Sequence, residues 1–315
     1  MKILSCFSDL DEIKPLAAAG ADELYCAVAG LPSFGEPASL ADLRAFARAA
    51  RVAHRLGLKI SVAVNSVVPK LTPAQESGLL KNLGAAAAAG ADAFIAASPA
   101  VMELLSLIEP KPAVHLSSVQ PCFNSLTAEF FTGLGVSRII LPNQLSPYEA
   151  RGILKLCRAR GVETEIFDYR FFGCAYVNGR CSLHRPGYYT AAAAVQKGSM
   201  CRLNLPGSLP VPRTVGVAPE WKYRLGGITG RLAERLGRGG APRMGNAASL
   251  YDYFAAGVGY LKYGTRRDPP DVKVRKVADM RATLDHAREL TAAYPAREAR
   301  ERFIERLEGW DGKKY

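Results

Sequence analysis

The stretch "AAAGADELYCAV", residues 17–28, is echoed by "AAAGADAFIAAS", residues 87–98. Each begins with the alanine-rich end of a helix, passes through a glycine suited to the left-handed position after a helix, and ends in a short apolar run. An apolar run placed between helices is typical of a buried strand. A glycine followed by such a run recurs more loosely at Gly57, Gly135, Gly161 and Gly257. The sequence therefore predicts strands that alternate with helices.

The number of predicted strands decides between two α/β architectures. Adding "KILSCF" (2–7) and "AVHLSS" (113–118) to the six glycine-led runs gives eight strands, most of them separated by helix-length amphipathic segments. Eight right-handed βαβ units predict a closed (β/α)8 TIM-type barrel, a fold of about 250 residues. An open doubly wound sheet is the alternative. Its usual glycine-rich phosphate loop is missing from "CFSDLDEIK" (6–14), which follows the first strand.

One connection of the predicted barrel is unusually long. The link between the seventh and eighth predicted strands, residues 169–256, forms an insertion within a barrel that we assign to residues 1–294. Residues 295–315 are assigned to a C-terminal helix or tail. Within the insertion, residues 170–245 carry twelve basic side chains and two acidic ones, in a chain of net charge +12. Such a field attracts polyanions or small anionic ligands, although a solvated arginine-rich face is the alternative.

Composition predicts the cellular location of the chain and the role of its cysteines. A chain of 315 residues that is 49% hydrophobic can bury a large core. Neither an 18-residue apolar run nor a signal-peptide apolar region is found, so no transmembrane segment and a cytoplasmic location are predicted. In that reducing compartment the seven cysteines are better interpreted as ligands or reactive thiols than as a disulfide framework.

Three cysteines, Cys174, Cys181 and Cys201, lie in the loop sequence of the insertion. Three thiolates with one further ligand suit zinc or an iron–sulfur cluster, and spacing alone does not separate the two. Cys26 and Cys122 end predicted strands, from which a side chain reaches the barrel mouth. The remaining thiols are assigned to the core.

A family resemblance rests on "EIFDYRFFGCAYVNGRCSL", residues 165–183. It resembles the signature of the collagenase-like peptidase family U32, in which a Glu-x-Phe strand leads to a cysteine and then to a Gly-x-Cys. Further segments that resemble the family are 20–27, 115–124, 137–149 and 248–267. The resemblance covers roughly residues 1–290 of the chain.

The resemblance implies a function different from the family's name. Several members resemble oxygen-independent hydroxylation proteins that carry a 4Fe–4S cluster, act on transfer RNA, ribosomal RNA or the aromatic ring of a ubiquinone precursor, and use prephenate as the implied oxygen donor. Cys174, Cys181 and Cys201 fall on the family's cluster cysteines. No cysteine follows Cys201 to act as the fourth ligand, for which Cys26 is the first choice and His184, in place of the usual serine, the second. An open iron site or Cys122 remains a further alternative.

Other candidate site residues stand at the predicted carboxyl ends of strands, where barrel enzymes place their sites. Four amides are expected to face the pocket at these strand ends: Asn65, Gln120, Asn124 and Gln144. The alternative is that they only cap loops by bonding to nearby backbone. Tyr169 is expected to stack on an aromatic substrate. Arg266 and Arg267 are candidates for an anionic group, because a guanidinium pairs bidentately with a carboxylate and prephenate is a dicarboxylate.

Two other classes of function remain open. One is a non-catalytic iron–sulfur subunit that pairs with a paralogous partner. The other is a peptidase, although none of the four histidines has zinc-protease spacing and Cys181 with His184 is the only local thiol–imidazole pair. The segment 220–245 combines an apolar stripe with arginines, which favours docking on the barrel rim or a partner over RNA binding.

Overall fold

The computed structural model describes residues 1–34, 39–66, 71–171, 245–266 and 268–308. Within these ranges nine strands form one parallel sheet. The strands are β1 (Lys2–Cys6), β2 (Glu23–Val28), β3 (Ser39–Leu40), β4 (Lys59–Val64), β5 (Ala93–Ala96), β6 (Ala113–Leu116), β7 (Val136–Ile140), β8 (Glu163–Phe167) and β9 (Tyr260–Tyr263). Because β1 pairs with both β2 and β9, the sheet closes on itself. Eight strands form the barrel and β3 is a short addition beside β2.

Helices follow the strands around the outside of the barrel. They are α1 (Ile13–Ala18), α2 (Leu43–Arg55), α3 (Pro73–Ala88), α4 (Pro99–Ser106), α5 (Ser125–Gly133), α6 (Pro147–Ala159), α7 (Ala247–Ala255), α8 (Pro270–Ala293) and α9 (Ala296–Glu308). A 3-10 turn at Leu10–Glu12 precedes α1. The predicted (β/α)8 barrel is confirmed. None of the described helices is long and apolar enough to cross a membrane.

Local chemistry explains why the repeated stretch folds as it does. Gly20 and Gly90, the glycines of the two matching segments, have φ of 101° and 107°, values that are strained for any residue with a Cβ. Each ends a helix turn and lets the chain reverse into the next strand. At the other end of the unit, Thr72 and Ser146 form capping boxes with Gln75 and Glu149, which fixes the first residues of α3 and α6.

The barrel has an apolar outer layer and a charged interior. Strand residues such as Leu24, Val62 and Ile139 pack against the helices and are fully buried. The inward positions include Glu23, Arg138 and Glu165, which are also buried. Most barrels of this type fill the interior with branched aliphatic side chains, so the interior of this one is unusual.

The insertion between β8 and β9 leaves and rejoins the barrel at neighbouring points. Buried Arg170 pairs with Asp168 at 2.6 Å and with Asp279 of α8 at 2.5 Å, which holds the first turn of the insertion against the helix layer. At its far end, a Cβ on Gly245 would lie only 2.8 Å from the Cβ of Tyr169. Residues 172–244, which include Cys174, Cys181, Cys201 and the basic segment, lie outside the described residues.

Helix α9 lies within the range assigned to the C-terminal tail. Arg300 pairs with Asp252 of α7 at 2.7 Å, and the ring of Phe303 lies 5.2 Å from that of Tyr251. The division of the chain into a barrel over residues 1–294 and a tail over 295–315 stays a prediction.

Candidate active site at the barrel mouth

Arg138 on β7 is the centre of the charged interior. Its guanidinium donates to both carboxylate oxygens of Glu23 at 3.1 and 2.9 Å, and to Glu163 at 2.9 Å and Glu165 at 3.3 Å. The ring of Tyr260 lies 3.4 Å from the guanidinium carbon. Burial works against the charge of Arg138, but the attraction of Glu165 and Glu23 outweighs it and raises the pKa. The cation is therefore permanent.

Lys262 on β9 lies next to this group. Its Nζ pairs with Glu165 at 2.8 Å and lies 4.2 Å from the centre of the Tyr25 ring. Burial lowers the pKa of Lys262, and Glu165 opposes that shift. Sequence reasoning does not single out Lys262, although a lysine inside an otherwise apolar strand run is a visible signal.

His115 occupies the same layer of the interior. It is in register with Ile95 on one side and with Arg138 on the other, and it is 3% exposed. Its Nδ1 has no hydrogen-bond partner among the described residues. Burial, followed by the nearby cations Arg138 and Lys262, lowers the pKa of His115 well below its ordinary 6.5. The imidazole is therefore neutral at physiological pH.

Asn65 lies above this layer at the carboxyl end of β4. Its Nδ2 donates to Ser117 Oγ at 2.9 Å, and its Oδ1 accepts from the backbone of Phe34 at 2.9 Å. This amide therefore ties together the ends of β4 and β6 and the loop after β2. These contacts are structural, and a substrate-binding role for Asn65 stays a prediction.

Arg266 follows β9 on the opposite side of the mouth. Its guanidinium carbon lies 5.4 Å from the centre of the Tyr25 ring, a distance typical of a cation–π contact. Its Nη1 is buried and has no hydrogen-bond partner among the described residues. Its carbonyl oxygen accepts from Ser8 Oγ at 3.5 Å, which links it to the end of β1. A buried unpaired guanidinium nitrogen is an available donor for an anion.

A shallow pocket, open to solvent, lies beside the mouth between the ends of β7 and β8 and helix α7. Its apolar lining comprises Leu141, Pro142, Leu145, Ile166, Phe167 and Leu250. Its polar lining comprises Asn143, Tyr169, Ser249 and Tyr253. Among the described residues, the Nδ2 of Asn143 is buried without a hydrogen-bond partner. An apolar pocket with one free amide donor suits a flat aromatic ring that carries an acceptor.

The predicted amides do not all meet at this pocket. Asn124 is exposed, and its Oδ1 accepts from Thr127 at 2.9 Å to cap α5. Gln120 is half-buried in the turn after β6, where its backbone donates to Ser117 at 2.9 Å. Gln144 is half-buried next to Asn143. The sequence places Asn143 at this strand end without giving it a role. Arg267 lies outside the described residues.

The described cysteines are poor nucleophiles. Cys6, Cys26, Cys122 and Cys157 are all buried. Burial raises the pKa of Cys6 and Cys157 to about 11, and that of Cys26 and Cys122 to about 12. A thiol of that pKa is not an activated nucleophile. These four positions therefore give no support to the peptidase alternative.

Cys26 also points away from the mouth. Glu23 bonds Arg138 inside the barrel and Tyr25 contacts Lys262 there, so strand alternation turns Cys26 toward the helix layer. A fourth-ligand role for Cys26 stays a prediction that this orientation does not support. Within the described ranges no cluster of three potential metal ligands is found. Cys174, Cys181, Cys201 and His184 lie outside those ranges.

Comparisons with known proteins add the family. Residues 8–202 match the model of Peptidase family U32. The tRNA hydroxylation protein P of Helicobacter pylori strain J99 is 31% identical over 198 residues, which are 63% of this chain and 43% of that protein. The tRNA hydroxylation protein P1 of Bacillus subtilis strain 168 is 26% identical over 203 residues, 64% of this chain and 45% of that protein. The chain thus spans less than half the length of these curated relatives.

Among solved structures, the U32 peptidase Mk0906 aligns with 53% of this chain and 68% of its own, at 19% identity and a TM-score of 0.43. The family match extends from the end of β1 through β8 into the cysteine-bearing insertion, well over half of the chain. This chain belongs to peptidase family U32.

Proposed function

We propose that this chain is an iron–sulfur-dependent, oxygen-independent hydroxylation protein that acts on a nucleobase of transfer RNA. The observation that carries the proposal is the similarity, over 198 residues, to a protein named for tRNA hydroxylation. A nucleobase also matches the chemistry of the pocket beside the mouth. The apolar lining accepts the flat ring, and Asn143 Nδ2 donates to a ring carbonyl oxygen.

Arg266 is proposed to bind the oxygen donor. Prephenate carries two carboxylates, and the buried Nη1 of Arg266 is a donor without a described partner. Tyr25, whose ring lies 5.4 Å from the guanidinium carbon, holds Arg266 in place. Burial raises the pKa of Tyr25, so its hydroxyl stays protonated and adds no negative charge that would repel the carboxylate.

The cofactor of the proposal is a 4Fe–4S cluster held by Cys174, Cys181 and Cys201, with zinc as the alternative. When bound, such a cluster would supply electron-transfer chemistry. Both ends of the segment that carries these cysteines meet at the pocket, because Gly245 packs directly on Tyr169. Since Cys26 turns toward the helix layer, we favour His184 or an open iron as the fourth position.

The test combines cofactor analysis with nucleoside chemistry. Protein purified anaerobically should contain iron and sulfide, and replacing any of the three cysteines with serine should remove the broad visible absorbance. Transfer RNA from an Escherichia coli strain that lacks its own tRNA hydroxylation protein P is analysed by nucleoside mass spectrometry with and without this chain. A nucleoside heavier by one oxygen atom is the expected product.

Matched variants connect that product to the pocket. Asn143→Ala and Arg266→Gln should lower the fraction of the oxygenated nucleoside, whereas Asn82→Ala, at an exposed amide on α3, should leave that fraction unchanged. Full iron and sulfide in all three cysteine variants would show the cofactor assignment to be wrong. If the iron-loaded wild type produces none of the nucleoside that is heavier by one oxygen atom, the hydroxylation proposal is rejected.

A further inference from the structure

An exposed aromatic side chain marks the first turn of α6. Tyr148 is 70% exposed, and the guanidinium carbon of Arg151 lies 3.8 Å from its ring centre. A tyrosine this exposed buries little apolar area within the fold, so packing does not explain it. The tyrosine–arginine pair instead presents a flat cationic surface, the type of surface on which nucleobases stack.

A basic stripe continues from Tyr148 down the same helix. Arg151, Lys155 and Arg158 are exposed and follow at spacings of four and three residues, so they share one face of α6 with the tyrosine. Arg158 also donates to the carbonyl oxygen of Ala256 at 2.7 Å, which fixes its position.

Acidic side chains around this face are already engaged. Glu149 accepts from the backbone of Ser146 at 2.8 Å. Glu129 of α5 pairs with Arg160, and Asp252 of α7 pairs with Arg300. Glu149 keeps its negative charge, but Arg151, Lys155 and Arg158 outnumber it on this face. The stripe is therefore a locally positive surface that complements a phosphate backbone.

The position of this face relates it to the candidate site. Helix α6 begins at the carboxyl end of β7, so Tyr148 stands on the rim of the mouth, five residues after Asn143 of the pocket. A second exposed aromatic, Phe123, is 39% exposed just before α5. The start of α5 lies beside the second turn of α6, because a Cβ on Gly152 of α6 would lie 3.8 Å from that of Ser125, the first residue of α5.

We infer that the α6 face formed by Tyr148, Arg151, Lys155 and Arg158, together with Phe123, binds unpaired RNA nucleotides that flank the base being modified. This inference rests on the proposed function and deepens it by naming the surface that receives the RNA. An enzyme that acts on one base extrudes it into a pocket, and the flanking nucleotides then lie on the rim. Tyr148 and Phe123 stack the neighbouring bases, and the stripe contacts the phosphates.

Helix α2 provides the matched comparison. It exposes Arg44, Arg48, Arg51 and Arg55, a basic stripe of similar spacing. It follows the second strand of the barrel whereas α6 follows the sixth, so the two helices lie on opposite sides. The aromatic residue of α2, Phe46, is fully buried. Charge alone would make both helices bind RNA equally, whereas stacking at the rim selects α6.

The experiment measures binding of labelled unfractionated transfer RNA to the full anaerobically purified chain, by fluorescence anisotropy over a range of salt concentrations. Tyr148→Ala should weaken binding by roughly 5- to 150-fold, the effect of losing one stacked base, while Tyr148→Phe should bind like the wild type. The double variant Arg151→Gln/Lys155→Gln should reduce the salt slope by about 1.5. Arg48→Gln/Arg51→Gln, with the same loss of charge on α2, should leave both values unchanged.

Four outcomes would overturn the inference. If Tyr148→Ala binds transfer RNA with wild-type affinity, Tyr148 has no stacking role. If the two double variants lose equal amounts of affinity, net charge alone explains the binding. In both cases the tRNA hydroxylation proposal still stands. The third outcome is a protein interface at this face, which light scattering tests. Phe130 on α5 is 57% exposed. In this outcome Tyr148→Ala and Phe130→Ala each dissociate an oligomer of the chain and leave RNA binding unchanged. That result would make the face a protein interface. A wild type that binds no transfer RNA would reject the substrate of the proposed function as well.

Discussion

Replacing His115 with glutamine should remove a specific part of the pH dependence of stability. The imidazole is 3% exposed, its Nδ1 has no described partner, and Arg138 and Lys262 lie near it. Burial and these cations keep the pKa of His115 well below 6.5 in the folded chain. Below pH 6.5 the unfolded chain therefore binds a proton that the folded chain does not. Stability rises with pH wherever the unfolded state binds more protons, so the folded state loses stability as pH falls through this window.

The size of the effect follows from proton linkage. Each pH unit below 6.5 over which His115 remains neutral in the fold costs about 1.4 kcal/mol of the free energy of unfolding. Between pH 7.5 and 5.0 the largest contribution from this one group is about 2 kcal/mol. The change is opposite in sign to that of a histidine stabilised by a carboxylate partner, whose contribution would be lost as pH rises.

The assay is urea unfolding followed by circular dichroism at both pH values. His115→Gln should narrow the difference in unfolding free energy between pH 7.5 and 5.0 by up to about 2 kcal/mol, whatever its absolute stability. Ile95→Val is the control, since Ile95 is in register with His115 and carries no titratable group. It should lower stability by roughly 0.5–1.5 kcal/mol at both pH values. An unchanged pH difference in His115→Gln would refute the reasoning.

Three further predictions concern other positions. Arg138→Met should destabilise the fold by roughly 3–5 kcal/mol in urea unfolding, because it leaves Glu23 buried without its ion pair and Glu165 paired with Lys262 alone; a loss below 1 kcal/mol would contradict this. Gly245→Ala should lower the melting temperature, since its Cβ would lie 2.8 Å from that of Tyr169. Its control Gly78→Ala, in the open interior of α3, should stabilise by up to about 1 kcal/mol. Cys26→Ala should retain full iron while His184→Ala loses part of it, and the reverse result would restore Cys26 as the fourth ligand.

The fold could be predicted from local patterns. Gly20 and Gly90 adopt the left-handed conformation that the two matching stretches require, and each is followed by the expected strand. Such patterns are local because helix ends and short apolar runs depend on a few neighbouring residues. The two-residue strand β3 was not predicted, because a strand this short leaves no periodic pattern.

The candidate site was only partly visible in the sequence. Strand ends identified the rim, so Tyr169 and Asn143 fell at the right end of the barrel and now line the same pocket. Asn124 stands at a similar position in the sequence yet caps a helix, and Cys26 faces the helix layer. An amide or thiol near a strand end can turn in either direction, and the neighbouring backbone decides which.

The sequence by itself determined the eight strands of the barrel, their alternation with helices, the place of the long basic insertion and the family. Only the tertiary structure decided that a charged cluster fills the barrel, because Glu23, Arg138, Glu165 and Lys262 come from four strands that are distant in the chain and meet only when the sheet closes. The same holds for the pocket and for the aromatic rim of α6. Local conformation depends on neighbours in sequence, whereas a site depends on distances between side chains that only the closed barrel fixes.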